Sequence, residues 1–432
     1  MEHTVREVEL TSGARGLLID VPGATVMNFK FYFRAGNAFT KSHDVYEVAH
    51  LMEHMAFGAN AKYADTHAFE DEFTKNGAYH NAYTSDYFIC YLAECADFEW
   101  KRILELQLLS VASPKFNEEE FDSERGNIRN ELVGYQNDYG RLIWPSLQRA
   151  VGEDVLLLDE RVGTLDKIRL EDVREHYGRT HTARNMRFVI SGNLRGREAE
   201  IRKMLEEMPL LEGEELAFSE VEYRRSEPVM IRRADATNLS FGIAMLLPRR
   251  LTLAETDAMS AVNHLLTGTL SSRILGQARK KGLTYGVFSD LQIGQSNCSW
   301  DFGGDANYET ADELFGVMER ELAAVADGAV DGADVELVQN YFLGRHQMNM
   351  QTVGRVGDFY AERFANYGEV ALASEVPERI AGLSGEMMVG VVREIMKSDL
   401  SAMVAVANGD EKQVKRLGEI LPALAREAKG EK

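Results

Sequence analysis

The sequence predicts an α+β protein of two homologous domains, each a mainly antiparallel sheet covered by helices. Three features carry that prediction: the length, a repeated order of strand and helix patterns, and a polar stretch between the repeats. A chain of 432 residues exceeds what one ordinary hydrophobic core holds and suits two domains.

In the first half, Thr25 to Arg34 (TVMNFKFYFR) is rich in β-branched and aromatic residues and partly alternates, which predicts a strand. Asp44 with Glu47 three residues on reads as a capping box for a helix running to Phe57, with Gly58 placed to stop it. A helix is expected from His67 to Lys75, then, after Gly77, a strand pair through AYHNAYTSDYFICYLAE. Two longer helices follow near Asp97 to Val111 and Glu118 to Asp138, the second with Asn117 and Glu120 as cap residues. The half closes on a strand from Arg184 to Gly192 and the amphipathic stretch GREAEIRKMLEEM.

The second half repeats this order. LSFGIAMLL (Leu239 to Leu247) mirrors the FKFYFRAG strand, and LTYGVFSDLQIGQSNCSWDFGG mirrors the strand pair. AMVAVANGD (Ala402 to Asp410) and EKQVKRLGEIL supply the closing strand and helix. A period of about 215 residues is too long for a solenoid and predicts duplication of one α+β domain. The expected domains are 1–215 and 228–432, joined by the polar, charge-rich stretch 212–227.

Composition narrows the function classes. With 45% hydrophobic and 27% charged residues and 8 Pro, the chain is globular and not disordered or fibrous. The start, MEHTVREVEL, lacks a basic segment followed by an apolar run. No stretch approaches the roughly 20 apolar residues of a membrane span. A cytoplasmic protein without membrane contact is expected. Cys90, Cys95 and Cys298 are odd in number and lack CxxC spacing, so they read as buried thiols and not as a disulfide or thiolate-metal framework. A formal charge of −21 argues against nucleic acid, whose phosphates need clustered Lys and Arg. The acid excess reads as a solvated surface, or in part as the lining of a cavity for basic peptides.

The chemistry concentrates in His50-Leu51-Met52-Glu53-His54, in the middle of the first predicted helix. Residues four apart sit about 40° apart around a helix, so both imidazoles share a face with Glu53 beside them. Neutral imidazoles suit zinc, a catalytic zinc site leaves a position open for water, and an adjacent carboxylate can take that water's proton. The order is that of the inverted zinc-peptidase motif. Glu124, Ile128, Glu131 and Tyr135 fall on one stripe of a later helix, which offers carboxylates to the same centre. The alternative reading of that acid-rich stretch is a solvated helix face.

His-x-x-Glu-His followed by Glu131 after 76 residues, with RAGNAF (Arg34 to Phe39) before it and HMAFGAN (His54 to Asn60) at its end, resembles the pitrilysin/insulinase family of zinc metallopeptidases. The likeness is to the short, two-domain bacterial branch that is similar to mitochondrial processing peptidase, and it covers nearly the whole chain. It implies a pitrilysin/processing-peptidase-like fold in which His50, His54 and Glu131 bind Zn2+, Glu53 is the general base and Glu124 supports the site from nearby. Gly77 to Ser85 resembles the family's active-site edge strand, where substrate lies as an added strand through main-chain hydrogen bonds. Asn81 and Ala82 are the substrate-contact candidates there. Strand alternation turns His80 away from Asn81, so it reads as a packed or solvated histidine.

Ser271-Ser272-Arg273 through Tyr285 resembles the family's Arg/Tyr segment. The family spaces Arg seven residues before Tyr; here Arg279 and Tyr285 are six apart, and Ala278 holds the seventh position. The resemblance implies that the Tyr285 hydroxyl donates to a developing oxyanion, with Arg279 as its companion. It further implies an endopeptidase acting on unfolded peptides inside a clam-like homodimer. A heterodimer, or a non-catalytic subunit of a processing complex, is the alternative.

Overall fold

The computed structural model describes residues 1–421; residues 422–432, the end of the expected second domain, lie outside them. The chain begins with β1 (Thr4–Glu9), β2 (Arg15–Asp20), β3 (Val26–Phe33), α1 (Val48–Met55) and α2 (Thr66–Thr74). It continues through β4 (Tyr79–Thr84), β5 (Ile89–Ala96), α3 (Trp100–Ala112), α4 (Glu118–Gly134) and α5 (Tyr139–Ala150). Next come α6 (Leu158–Thr164), α7 (Leu170–Thr180), β6 (Met186–Gly192) and α8 (Glu198–Glu206). The later part runs β7 (Val229–Arg232), β8 (Leu239–Leu247), α9 (Leu253–Thr267), α10 (Arg273–Lys280), β9 (Val287–Ile293) and β10 (Cys298–Ala306). It ends with α11 (Ala311–Ala326), α12 (Gly332–Asn349), α13 (Val353–Tyr367), α14 (Val376–Ala381), α15 (Gly385–Lys397), β11 (Leu400–Ala407) and α16 (Glu411–Ile420).

The elements form two compact units. The first comprises Met1–Gly134, Asp159–Ser219 and Gln347–Ala373, around a six-stranded sheet of order β1-β2-β6-β3-β5-β4. Only β2 and β6 run parallel; the remaining neighbours are antiparallel. β3 lies inside the sheet with helices on both sides, which explains its nearly unbroken apolar run. Its even-numbered residues face α13: Tyr32 shares a cluster with Val353, Val356, Tyr360 and Phe364, together with Leu17, Ile19 and Val189. Each such side chain withdrawn from water contributes about 1.5–3 kcal/mol, enough to hold α13 on a sheet whose strands lie far back in sequence. Lys30, the one charge in the strand, pairs with Asp358 on α13. α3 packs on β3 and β5.

The second unit comprises Tyr135–Leu158, Glu220–His346 and the chain from Ser374 onward. Its five-stranded sheet has the order β7-β11-β8-β10-β9, with β7 and β11 parallel and the other neighbours antiparallel. With β1 set aside, the two orders correspond strand for strand, the parallel pair included. The expected α+β duplication is thus present in the topology. Here α5 is the covering helix: Ile143, Leu147 and Val151 pack on Ala244, Leu246, Ala402, Val404 and Val406.

Within this sheet Asp301 on β10 stands across from Asp290 on β9 and accepts a hydrogen bond from Ser299. Burial pushes its carboxyl up to about 7, Ser299 opposing and Asp290 adding to the rise. The unfolded chain holds this group near the ordinary value of about 3.9. Stability from Asp301 is therefore complete below about pH 4 and is lost as pH rises through about 7. Asp301→Asn is expected to raise Tm at pH 8 and to flatten the loss of Tm between pH 5 and 8. An unchanged slope would show that Asp301 does not titrate in that window.

Two expectations need correction at the first helix. The chain from His43 to Val45 makes a 3-10 turn, and α1 begins only at Val48, with no side-chain cap from Glu47. The Asp44–Glu47 capping box does not form: Asp44 is exposed and pairs with Lys167 at 2.6 Å, while Glu47 turns inward. The Asn117 cap does form, its Oδ1 accepting from the Glu120 amide at 2.9 Å. Cys90, Cys95 and Cys298 are buried free thiols. Among the described residues no helix is long and apolar enough to cross a membrane.

Candidate metal centre

α1 is short, and its placement fixes the site. It packs against α4, α7 and β4, burying Val48, Leu51, Met52 and Met55 and leaving the His50–His54 face toward α4. Beyond its end, Glu120 on α4 accepts from the Ala59 amide at 2.9 and 3.0 Å and from the Thr66 amide at 3.1 Å. Gly58 is required for that approach, since a Cβ there would lie 2.5 Å from Glu120 Oε2. The same α4 whose first turn pins this loop carries Glu124 and Glu131 on its inward stripe, with Ile128 and Leu132 anchored in the core.

The two imidazoles stand 4.8 Å apart, nearly perpendicular. Each Nδ1 meets a carboxylate: His50 meets Glu47 at 3.1 Å and His54 meets Glu124 at 3.0 Å. With Nδ1 donating, each Nε2 keeps a free lone pair. Both Nε2 atoms converge on Glu131 Oε2, at 3.8 Å from His50 and 3.7 Å from His54. One ligand atom from each of the three residues lies within 4.8 Å of the others. A tetrahedral ion about 2.1 Å from each ligand needs the ligand atoms about 3.4 Å apart; the two imidazole–carboxylate separations exceed that by only a few tenths of an ångström, so side-chain rotation brings this donor set onto such an ion. Two imidazoles and one carboxylate are also the donor chemistry of a catalytic zinc site, not of a hard oxygen-only cage.

Glu53 lies beside this group and is 8% exposed. Thr84 on β4 donates to its Oε2 at 2.9 Å. Burial raises the Glu53 carboxyl above its ordinary range, although His50, His54 and the Thr84 hydrogen bond pull the other way. Burial opposes protonation of His54, but the Glu124 hydrogen bond and the surrounding carboxylates win and raise it. Glu124, held by His54 and by Asn127 at 3.2 Å, is correspondingly lowered.

The structure thus brings together His50, Glu53, His54, Glu124 and Glu131, the residues singled out in the sequence. Asn81 and Ala82 lie on β4, which pairs with β5 on one side and forms the edge of the sheet. Its alternating burial puts Ala82 on the same face as Thr84, and Asn81 on the exposed face with Tyr79 and Tyr83. His80 is packed, stacked on Phe73 and bonded to Glu70 at 2.8 Å. In the second unit, Arg279 lies 4.4 Å from the centroid of the Tyr285 ring and donates to the Tyr285 carbonyl at 3.1 Å. Six-residue spacing therefore still joins this pair, and Tyr285 is 88% exposed.

Three participants were not read as site residues from the sequence: Thr84, Glu47, which was read as a helix cap, and Arg161. Thr84 was legible from strand alternation, sharing a face with Ala82. Arg161 contacts Glu47 across 114 residues, and no local pattern announces it.

The second unit holds a counterpart without the metal ligands. α9 follows β8 as α1 follows β3, and Asn263 Oδ1 accepts from Ser289 on edge strand β9 at 2.7 Å, as Glu53 accepts from Thr84 on β4. His264 then matches His54, but Ser260 stands where His50 would, and Asn263 cannot act as a base. Among the described residues the His50–His54–Glu131 group alone places three such ligands together.

Two family models match the chain in consecutive stretches, and neither follows the bounds of one structural unit. A model of the insulinase family (peptidase family M16) matches residues 19–152, and a model of the peptidase M16 inactive domain matches residues 167–342. The chain is 21% identical to a zinc protease of Streptomyces coelicolor, itself uncharacterized, over 96% of this chain and 92% of that one. An uncharacterized zinc protease of Bacillus subtilis is 19% identical, with 84% and 89% covered. In fold, a protease from Helicobacter pylori superposes with a TM-score of 0.81 at 16% identity, covering 94% of this chain and all of that one. A peptidase M16 inactive-domain structure from Pseudomonas fluorescens gives 0.78 at 18% identity, with 94% and 98% covered.

Proposed function

Because the chain belongs to the insulinase (M16) family of peptidases, we propose that it is a zinc-dependent endopeptidase acting on unfolded peptides. The convergence of both Nε2 atoms on Glu131, with Glu53 buried beside them, carries this reading. His50, His54 and Glu131 hold the ion, and Glu124 orients His54. Zinc bound there supplies Lewis acidity, polarising the scissile carbonyl and acidifying water. Glu53 takes a proton from the attacking water and returns it to the leaving amine, steadied by Thr84. The free edge of β4 aligns an extended peptide by main-chain hydrogen bonds, with Ala82 on the side of Glu53 and Asn81 on the outer face. This mode asks little of substrate sequence.

In the same proposal the protein is a cytoplasmic homodimer whose chains, each duplicated about a join near residues 212–227, enclose a chamber. The exposed Tyr285 and its companion Arg279 are assigned to oxyanion stabilisation in that assembly. A second reading, a partner-dependent subunit of a heterodimeric processing complex, is favoured by the M16 inactive-domain match and by the Asn263 counterpart of Glu53.

The purified protein is expected to carry about one zinc per chain and to cleave unstructured peptides. Chelation should stop cleavage, and stoichiometric zinc should restore it. A chain that binds no metal and cleaves nothing would sink the enzyme and leave the subunit. Light scattering tests the assembly, since an active monomer rules out the shared chamber.

A further inference from the structure

Resting on the reading that His50 is a metal ligand, we propose that Glu47, locked by Arg161, is a positioning residue that sets the orientation of the His50 imidazole for metal binding. Glu47 directly precedes α1, one turn before His50, and its side chain is 0% exposed. A carboxylate fully removed from water costs several kcal/mol unless it is paired and hydrogen-bonded. Arg161 on α6 supplies both requirements, donating from Nε to Oε1 at 2.5 Å and from Nη2 to Oε2 at 3.1 Å. This two-point fork fixes the carboxylate plane. Oε2 then accepts from His50 Nδ1 at 3.1 Å, which leaves the Nε2 lone pair directed to the Glu131 side. The guanidinium is itself placed 5.9 Å from the centroid of the buried Tyr46 ring.

The two histidines are therefore held differently. His54 relies on Glu124, whose side chain is partly exposed and steadied by Asn127. His50 relies on a buried carboxylate whose charge is cancelled by a guanidinium. Glu53, Glu124 and Glu131 already crowd this centre with negative charge, and a further bare carboxylate would raise the repulsion among them. The Glu47–Arg161 pair orients the ring without adding net charge. It makes His50 the rigid arm of the site.

The test is zinc affinity measured by chelator competition at fixed pH on the full-length protein, for wild type, Glu47→Gln, His50→Ala and the double variant. Removing a partner that orients a metal-bound histidine lowers affinity about 10–100-fold, and Glu47→Gln is expected to fall in that range. In the His50→Ala background the same change should alter affinity by less than about threefold, because the coupled partner is gone. Cobalt(II) absorption should shift in Glu47→Gln, which a role in folding alone would not produce.

Glu47→Gln that binds zinc as tightly as wild type, with or without a lower Tm, overturns the proposal. Should that variant fold poorly, Arg161→Lys reads the same link, since it keeps the charge and loses the fork. Weaker zinc binding there supports the proposal, and unchanged binding overturns it. If wild type itself binds no zinc, the metal reading fails first, and the two failures are told apart by that measurement.

Discussion

Glu53→Gln is expected to leave fold and metal in place and to lower the turnover of an unstructured peptide by about 10²–10⁴-fold, the range for loss of a positioned general base. Glu53 is almost fully buried at 8% exposure, so its shape matters to packing, and Gln preserves that shape. The Thr84 hydroxyl, which donates to Glu53 Oε2 at 2.9 Å, can donate equally to the amide oxygen of Gln. What the substitution removes is the capacity to accept and return a proton. Glu53 is not one of the three ligands assigned to the ion, so zinc content and zinc affinity should stay near wild type. KM should move little, because β4 is assigned to hold the peptide by its main chain. The decisive measurement is kcat at saturating peptide beside the metal content of the same sample. Turnover near the wild-type rate in zinc-loaded Glu53→Gln would remove Glu53 from the mechanism. Lost zinc would instead show that its charge helps retain the ion.

The sheets were legible because buried strands leave a dense local signal. β8 was found with its observed bounds, Leu239–Leu247, because every residue in it is buried, and β3, β6 and β11 carry similar apolar runs. β7 escaped notice because it is four residues long and none of it is buried. Periodicity can show that the stretch around Ile143 and Leu147 is an amphipathic helix. It cannot show that α5 covers β8 and β11, while α13 covers the sheet of β3 and β6, since both facts are long-range packing. The motif at α1 was legible because helical geometry alone puts residues four apart on one face. Glu131 was legible as a helix-stripe carboxylate, but assigning it as a ligand needed the family resemblance. The misread Glu47 shows the limit most clearly. Local spacing made it a cap, and a remote partner, Arg161, drew it into the core instead.

Glu131→Gln should separate metal binding from folding. Glu131 contributes the carboxylate of a three-ligand group, yet its side chain is 33% exposed, while Ile128 and Leu132 on the same helix are buried and hold α4 in place. The fold therefore does not depend on its charge. In the metal-free protein that charge adds to the rise of the Glu53 carboxyl and also helps to raise His54, so its repulsion and its attraction oppose each other. Neutralising Glu131 removes both effects, so the Tm of metal-free Glu131→Gln should stay near wild type. Structural zinc sites bind with apparent free energies of about 10–16 kcal/mol. If a third of such a total is lost with one ligand of three, affinity falls by about 300-fold to 10⁴-fold. Zinc at micromolar concentration should then raise the Tm of Glu131→Gln clearly less than that of wild type, because linkage scales with the ratio of free ion to Kd. Glu124→Gln should fall between the two, since it loosens the orientation of His54 and leaves all three ligands present. Equal zinc-induced shifts in wild type and Glu131→Gln would mean that the ion is held elsewhere, and the convergence of His50 and His54 on this carboxylate would lose its functional meaning.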